Sequence, residues 1–454
     1  MKKIKSDSTL SIKNWELENI FAILATRAGI PSAKGHLNAN LSVTGNSAQN
    51  PKMTGQMAME TLRLQGGPLE TDTPTVKDIA IDLDSSFTDH GLSLNKLTFR
   101  SSLASGSAWG ITEDGNQKRL AGKADVDLAE VFAQFPATLK LREGTKITNG
   151  KMAISANIET ARTGTAFNGD ARIDRLQGIS AGKKISWTKP VAVNARGKIQ
   201  REGLQLESLA LRSSFLKADG RGDMRNMQVD LTADLKAALA ELRKFIEIKQ
   251  WDGSGKVKLD FRLKETKEHL NHAAVKLRID DFVLSRNRRS ILDRQVVRAD
   301  LSSDVEVAQE ALDSKLLRPS LNIQSSVASG AVTARQVAGS VSSSFPNTTE
   351  LKLDGNLNLQ QLSSLLKNLG LISSQTLLAG QSKIQTSGAV NDGLLAIDNA
   401  RIETQKLIYR QDNKTIRENR VILTTRGQVD LNNRSIQLAP ADIDGKAGKI
   451  HIPE

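Results

Sequence analysis

Leu17, Leu128, Leu235 and Leu359 each sit in the same short motif, and that recurrence constrains the fold more than any local propensity. The segments are Trp15-Glu16-Leu17-Glu18-Asn19-Ile20-Phe21, Val126-Asp127-Leu128-Ala129-Glu130-Val131-Phe132, Ala233-Asp234-Leu235-Lys236-Ala237-Ala238-Leu239 and Leu357-Asn358-Leu359-Gln360-Gln361-Leu362-Ser363. Each reads apolar, acid or amide, Leu, two variable positions, then an apolar or Ala position. Spacings of 111, 107 and 124 residues separate the four leucines. A unit of roughly 115 residues therefore repeats about three and a half times in a chain of 454.

Each motif predicts a short amphipathic helix of about three turns. Asp127 and Asn358 stand where an N-cap would, with oxygens free to take the orphan N–H groups of a first turn. Apolar residues follow at helical spacing: Leu128, Val131, Phe132, Phe135; Leu235, Leu239, Leu242, Phe245; and Leu359, Leu362, Leu366, Leu369. Such stripes are packing faces far more often than cofactor boxes.

About twenty residues after each motif Leu, a Gly opens an alternating strand. The clearest is Gly255-Lys256-Val257-Lys258-Leu259-Asp260-Phe261-Arg262-Leu263, with counterparts opening at Gly35, Gly150 and Gly380. Alternation of period two puts one face of a sheet in an apolar environment and the other in water. A second strand follows at Met57 to Leu64, Ala171 to Leu176, Val275 to Leu284 and Ile397 to Ile408, and a third at Ile79, Ile81, Leu83 and at Val191, Val193, Ala195. The fourth carries the most literal echo: Leu97-Thr98-Phe99-Arg100-Ser101-Ser102, Leu209-Ala210-Leu211-Arg212-Ser213-Ser214 and Leu321-Asn322-Ile323-Gln324-Ser325-Ser326. A fifth, Leu120 to Val126 or Met227 to Leu231, runs straight into the next helix, and the fourth copy breaks off before this strand. Asn149-Gly150, Asn168-Gly169, Asp392-Gly393 and Asp444-Gly445 supply turn signals.

The expected fold is mainly β: an elongated twisted antiparallel sheet, with one short helix per repeat and about five strands. The repeats span residues 12–125, 126–232 and 233–356, with an incomplete fourth at 357–454, together forming one continuous domain. A helix of a dozen residues cannot cover five strands. The apolar face must close on itself, pack on another sheet, or remain as a trough.

The D-L-x-x-(V/L) helix, the Gly-led strand and the later Leu-x-Leu-x-x-Ser-Ser strand together resemble the AsmA-like/TamB-like proteins of bacterial envelopes, over Trp15 to about Gly445. The resemblance implies a repeating β-groove that carries phospholipid or other acyl lipids between membranes in the periplasm, with envelope proteins as further partners. Members of that family begin with a membrane-anchoring helix. Here the basic opening Met1-Lys2-Lys3-Ile4-Lys5 is followed by no apolar stretch long enough to span, so the chain is expected to be a fragment of a membrane-anchored protein. The candidate groove lining is Leu37, Leu41, Val43, Ile79, Ile81, Leu83, Leu97, Phe99, Ile154, Ile158, Leu209, Leu211, Val257, Leu259, Phe261, Leu263 and Ile323. The alternative is a structural or adhesive β-repeat in which these residues pack into a closed core.

Composition narrows the function classes. Aromatic residues make up 4 % of the chain, thin for stacking bases or sugars, and the absence of Cys excludes disulfides and thiolate chemistry. The net charge of +13 favours polyanions, but Lys and Arg are scattered; the densest run, Arg286, Arg288 and Arg289, holds three charges, which argues against nucleic acid as the partner. His269 and His272 have a metal-compatible spacing but fall in a turn without a matching Cys or carboxylate triad; His36, His90 and His451 are dispersed. Asp89-His90 beside Ser85 and Ser86 lacks a Gly-x-Ser-x-Gly elbow and reads as a hairpin tip. No calcium loop, phosphate loop or dinucleotide fingerprint occurs. The expected function is non-enzymatic, with no cofactor and no metal.

Overall fold

A computed structural model of the chain describes residues 6–18, 32–45, 51–69, 71–88, 91–113, 117–187, 189–200, 203–248, 251–267, 270–287, 289–307, 314–336, 349–391, 394–412, 414–430, 433, 435–446 and 448–452. It is mainly β and antiparallel throughout. Two compact units divide the chain: Met1–Met224 with Ala237–Lys249, and Arg225–Lys236 with Gln250–Glu454.

In the first unit β1 (Ser6–Glu16) runs into the first motif, whose Leu17 and Glu18 are helical; residues 19–31, on which the rest of the expected helix falls, lie outside the described residues. Trp15 and Glu16 close the preceding strand, as Val126 and Asp127 do at the second motif. The next six strands are β2 (Ser32–Gly45), β3 (Lys52–Gln65), β4 (Thr75–Thr88), β5 (Gly91–Arg100), β6 (Ala104–Glu113) and β7 (Gln117–Asp127). Helix α1 (Leu128–Gln134) follows at once. Then come β8 (Thr145–Ala161), β9 (Gly164–Ser180), the short β10 (Lys183–Ser186), β11 (Val191–Gln200), β12 (Gly203–Arg212) and β13 (Leu216–Asp223).

The second unit holds β14 (Asn226–Asp234) and then β15 (Trp251–Lys267), β16 (Leu270–Arg286), β17 (Arg289–Val307), β18 (Ser314–Gln324), β19 (Ala328–Gln336) and β20 (Thr349–Asn358); α2 (Leu235–Leu242), which follows β14, counts with the first unit from Ala237 on. Helix α3 (Leu359–Asn368) precedes β21 (Leu377–Asn391), β22 (Leu394–Gln411), β23 (Lys414–Asp430), β24 (Ser435–Gly445) and β25 (Gly448–Ile452).

Among the described residues each of the first three copies thus carries six long strands, not five. The strand missed from sequence is β6 and its equivalents β13 and β19, which follow the Ser-Ser turn. β6 and β19 open on small residues, Ala104-Ser105-Gly106-Ser107-Ala108 and Ala328-Ser329-Gly330-Ala331, and β13 holds two Gly, four charged residues and no β-branched residue, so the usual strand signature is weak.

The helices are shorter than expected, with 7, 8 and 10 residues. Three helices are seen among the described residues, so one per repeat is not established. Asp127 caps α1 as expected, its Oδ1 accepting from the N–H of Ala129 (2.9 Å) and Glu130 (3.2 Å). Asn358 caps α3 through the N–H of Gln361 at 3.2 Å. Helix α1 stops where Phe135 precedes Pro136, which disfavours a helical residue before it.

The repeat is visible in atomic detail. Ser101, Ser213 and Ser325 make the same turn, their N–H groups donating to Ala104 O, Leu216 O and Ala328 O at 2.7, 2.8 and 2.7 Å. In each the Ser hydroxyl also accepts from the N–H of that third residue. The Gly that leads each alternating strand sits at or beside a β-bulge in all four copies. A Cβ on Gly35 would lie 2.5 Å from Thr61 O, so only Gly allows that backbone approach.

Buried apolar side chains gather at the helix end of the strands. In the first unit Leu128, Ile147, Leu176 and Phe245 form one cluster, with Phe132, Met152 and Trp187 packed against it. Trp187 stacks on Phe245 at 5.5 Å. The connection between the second and third strands of a copy grips the helix region of the next. Asp72 accepts from Ala137 and Thr138, and Gln134 accepts from the N–H of Thr75 at 2.9 Å. Lys244 donates to Ser186 O at 2.9 Å, and Asn368 to Ile291 O at 3.3 Å.

Candidate functional site

Directly paired residues on neighbouring antiparallel strands share a face, so the registers define rows across each sheet. In the first unit one row runs Ile12, Ala39, Met57, Ile81, Phe99, Gly106, Ala124, Ile154, Ala171, Val193, Leu211, Ala218. The next on the same face runs Leu10, Leu41, Gly55, Leu83, Leu97, Ala108, Gly122, Ala156, Gly169, Ala195, Leu209, Gly220. A third passes through Val43, Met53, Ser85, Leu94, Gly110, Leu120, Ile158, Phe167, Gly197 and Leu206. None of these residues is charged. The row between the first two, on the opposite face, includes Asn40, Gln56, Asp82, Thr98, Ser107, Lys123, Ser155, Asp170 and Asn194.

The second unit repeats the division. Leu231, Leu259, Leu277, Ala299, Ile323, Gly330, Gly355, Ile384, Ile402, Leu423, Ile443 and Ile450 form an uninterrupted apolar row over twelve strands. The adjacent row on the other face contains Asp230, Asp260, Lys276, Asp300, Asn322, Asp354, Gln385, Arg401 and Asp442. Arg262, in the next row on that face, reaches Asp260 at 2.6 Å and Asp230 at 3.3 Å.

The structure places every sequence-derived candidate. Ile81, Phe99, Ile154 and Leu211 fall in the first row of the first unit; Leu41, Leu83, Leu97 and Leu209 in the second; Val43 and Ile158 in the third. Leu37 and Ile79 continue the same face toward the helix end, paired with Trp15 and Met59. In the second unit Leu259 and Ile323 share the long row, Phe261 lies one row over beside Val229 and Val275, and Val257 and Leu263 complete the face of β15. Sequence reasoning missed the small residues between them: Gly106, Ala108, Gly122, Ala156, Gly169 and Gly330. Their signal is a period of two carried by Gly and Ala rather than by large aliphatics.

None of the seventeen candidates is buried. Phe99 is 38 % exposed, Ile154 38 %, Ile158 39 % and Ile323 42 %, and the neighbouring Leu120 is 45 % exposed. Side chains in a closed interior lose nearly all of their accessible surface. Large side chains lie over the glycines beside them. A Cβ at Gly106 would meet the Phe99 ring at 2.4 Å, and one at Gly197 the Phe167 ring at 2.8 Å. This lowers the relief of the face.

A cavity of about 750 Å³ lies along β5 to β9, β11 and β12, away from the helix end. Leu94, Leu120, Ile158 and Phe167 of the third row border it, as do Trp109, Arg119, Arg196 and Lys198 from the same strands. Arg119 is paired with Glu159 at 3.2 Å and Lys198 with Glu207 at 3.3 Å.

Polar chemistry elsewhere is dispersed. Among the described residues no cluster of three or more His, Asp or Glu is placed to hold a metal. His272 is not in a turn but in β16, where its Nδ1 meets Asp304 Oδ1 at 3.0 Å; this contact, ahead of the opposing desolvation and the nearby Arg318, keeps the Asp304 carboxyl below its ordinary value. His451 pairs with Asp442 at 2.7 Å. His269 and the Asp89-His90 pair lie outside the described residues. Among the described residues no helix is long and apolar enough to cross a membrane.

Comparison with protein families, with curated proteins and with solved structures returns no match.

Proposed function

We propose that this chain is a non-enzymatic lipid carrier of the cell envelope, which moves the acyl chains of phospholipid along the apolar face of its sheet. The observation that carries this reading is the pair of faces: rows of twelve uncharged residues, largely part-exposed, backed by rows of polar and charged residues. Each CH₂ removed from water by such a surface is stabilised by about 0.8 kcal/mol. Because Leu, Ile, Ala and Gly recur from strand to strand, an acyl chain meets nearly the same surface at each step. A face that repeats itself suits sliding better than capture at one point.

The curling of the sheet into a groove around that face belongs to the same proposal. It is supported by the twist inherent in long antiparallel sheets and by the concavity bordered jointly by β5 to β9, β11 and β12. The repeated helix motif, Gly-led strand and Ser-Ser turn are the features that resemble AsmA-like/TamB-like proteins, and the proposed setting between membranes rests on that resemblance. The competing reading, an elongated structural or adhesive repeat with a closed core, is disfavoured by the exposure of Phe99, Ile154, Ile158 and Ile323.

Purified protein extracted into organic solvent and analysed by mass spectrometry tests the proposal. Co-purifying phospholipid in near-stoichiometric amount is expected. Protein that carries no lipid from its host, and takes up none from added vesicles, contradicts it.

A further inference from the structure

The helix end of the first unit gathers positive charge from three separate stretches of chain. The stretches 136–147, 179–190 and 241–247 contain eight cations, Lys140, Arg142, Lys146, Lys183, Lys184, Lys189, Arg243 and Lys244, against Glu143, Glu241 and Glu247. Glu241 is taken up by Lys244 at 2.9 Å.

The fold draws these stretches together. Lys146 on β8 and Lys184 on β10 both pair with Ile179 of β9, so the three side chains stand in one row. The residues next to them in sequence, Ile147 and Ile185, face the core cluster, so the Lys146-Ile179-Lys184 row points away from it. The N–H of Arg142 donates to Phe245 O at 2.9 Å and its guanidinium reaches Arg243 O at 3.5 Å, which attaches the Lys140-Arg142 turn to the same end. Lys244 closes the group by its bond to Ser186 O.

Two features mark this patch: its cations stand together, and aliphatic side chains stand among them. Some strand cations elsewhere are neutralised in place, Arg172 by Asp174, Arg278 by Asp280, and Arg420 by Glu403. Among the described residues Lys140, Lys146, Lys183 and Lys184 have no ion-pair partner, and all four are exposed. Large aliphatic side chains stand among them: Ile179 is 41 % exposed and Leu139 36 %. Unpaired lysines interspersed with exposed aliphatics match a bilayer surface, where anionic headgroups attract the ammonium groups and the interface accepts shallow apolar side chains. A nucleic acid would gain nothing from Ile179 and Leu139.

We propose that this basic end, built from the Lys146-Ile179-Lys184 row and the adjoining Lys140 and Lys183, docks the protein onto an acidic phospholipid surface. The surface is separate from the apolar face and stands without the acyl-carriage reading.

The test is sedimentation of the whole chain with vesicles of phosphatidylcholine alone or mixed with an equal share of phosphatidylglycerol. Binding to the mixed vesicles, weak binding to phosphatidylcholine, and steep weakening by salt are expected. Each lysine near an anionic surface is worth about a fivefold change in affinity, so Lys146→Glu with Lys184→Glu should weaken binding by at least about 30-fold. Lys258→Glu with Lys352→Glu, the same charge change on exposed strand positions of the second unit, should leave most of it. Circular dichroism melts of both pairs establish that each variant is folded. No preference for acidic vesicles, equal loss in the two pairs, or displacement of vesicles by an equimolar double-stranded oligonucleotide would overturn the proposal. Vesicle binding that survives Leu259→Asp separates this surface from the acyl-carrying face.

Discussion

The carboxylate of Asp72 accepts the backbone N–H of Thr138 at 2.7 Å, although 66 residues separate them. Its other oxygen takes the N–H of Ala137 at 3.1 Å, and the Thr138 hydroxyl returns a hydrogen bond to Leu69 O at 3.0 Å. One loop of the first copy is thereby pinned to the segment that follows the helix of the second. A nearly buried carboxylate with two main-chain donors holds two orphan N–H groups that would otherwise be desolvated at a cost.

Removing it should be felt. Asp72→Ala is expected to destabilise the first unit by about 1–3 kcal/mol in urea unfolding, the range for stranding buried hydrogen-bond groups. The pH dependence carries a definite sign. Burial pushes the Asp72 carboxyl up, but the bonds from Thr138 and Ala137 together outweigh it, and its folded pKa lies below the ordinary 3.8. Its contribution is therefore full above pH 3.8, and is lost as the pH falls from there through the lowered folded value. Asp72→Asn should flatten the stability profile in that acid window; an unchanged profile would show that Asp72 is not linked to folding.

The Gly that leads each alternating strand should resist substitution. At Gly380 a Cβ would lie 2.8 Å from Gln405 O, and φ is +134°. Gly380→Ala is expected to cost about 1–3 kcal/mol, combining backbone strain with the steric clash. Gly388, also on β21, has no positive φ and serves as a comparison for sterics alone. Thermal melts of the two variants separate the contributions.

Leu259 discriminates between an open face and a closed core. It is half-exposed within the long row of the second unit, between Leu231 and Leu277. Leu259→Asp in a closed interior would cost several kcal/mol. Here it should lower unfolding stability by no more than about 1 kcal/mol, typical of sites away from a packed core. Co-purified phospholipid should fall sharply in the same variant. A collapse of folding, with little soluble protein, would favour the closed repeat.

Much of this architecture was legible in sequence because two periods were clean. The period of two in Gly255 to Leu263 put Val257, Leu259, Phe261 and Leu263 on one face, where the registers place them. The caps Asp127 and Asn358 were readable because their carbonyl oxygens answer a local need, the first-turn N–H groups. What escaped depends on partners distant in the chain. Strand β6 is recognisable only beside β5 and β7, since Ala104, Gly106, Ala108 and Gly110 offer small side chains for neighbours such as Phe99 and Leu120 to lie across. Asp72 looked like an ordinary loop acid; its role arises 66 residues away. The basic end was likewise invisible as a run, because Lys146 and Lys184 become neighbours only through Ile179.

Under the proposed function the uncharged face, and not its charged reverse, contacts acyl chains. Photo-crosslinking tests it most directly: a photoreactive phenylalanine analogue is placed in turn at Leu120, Leu259, Lys123 and Lys258, and the irradiated protein is analysed for phospholipid adducts by mass spectrometry. The predicted result is adducts at Leu120 and Leu259 and none at Lys123 and Lys258. Adducts at none of the four, or equally at all four, would contradict it.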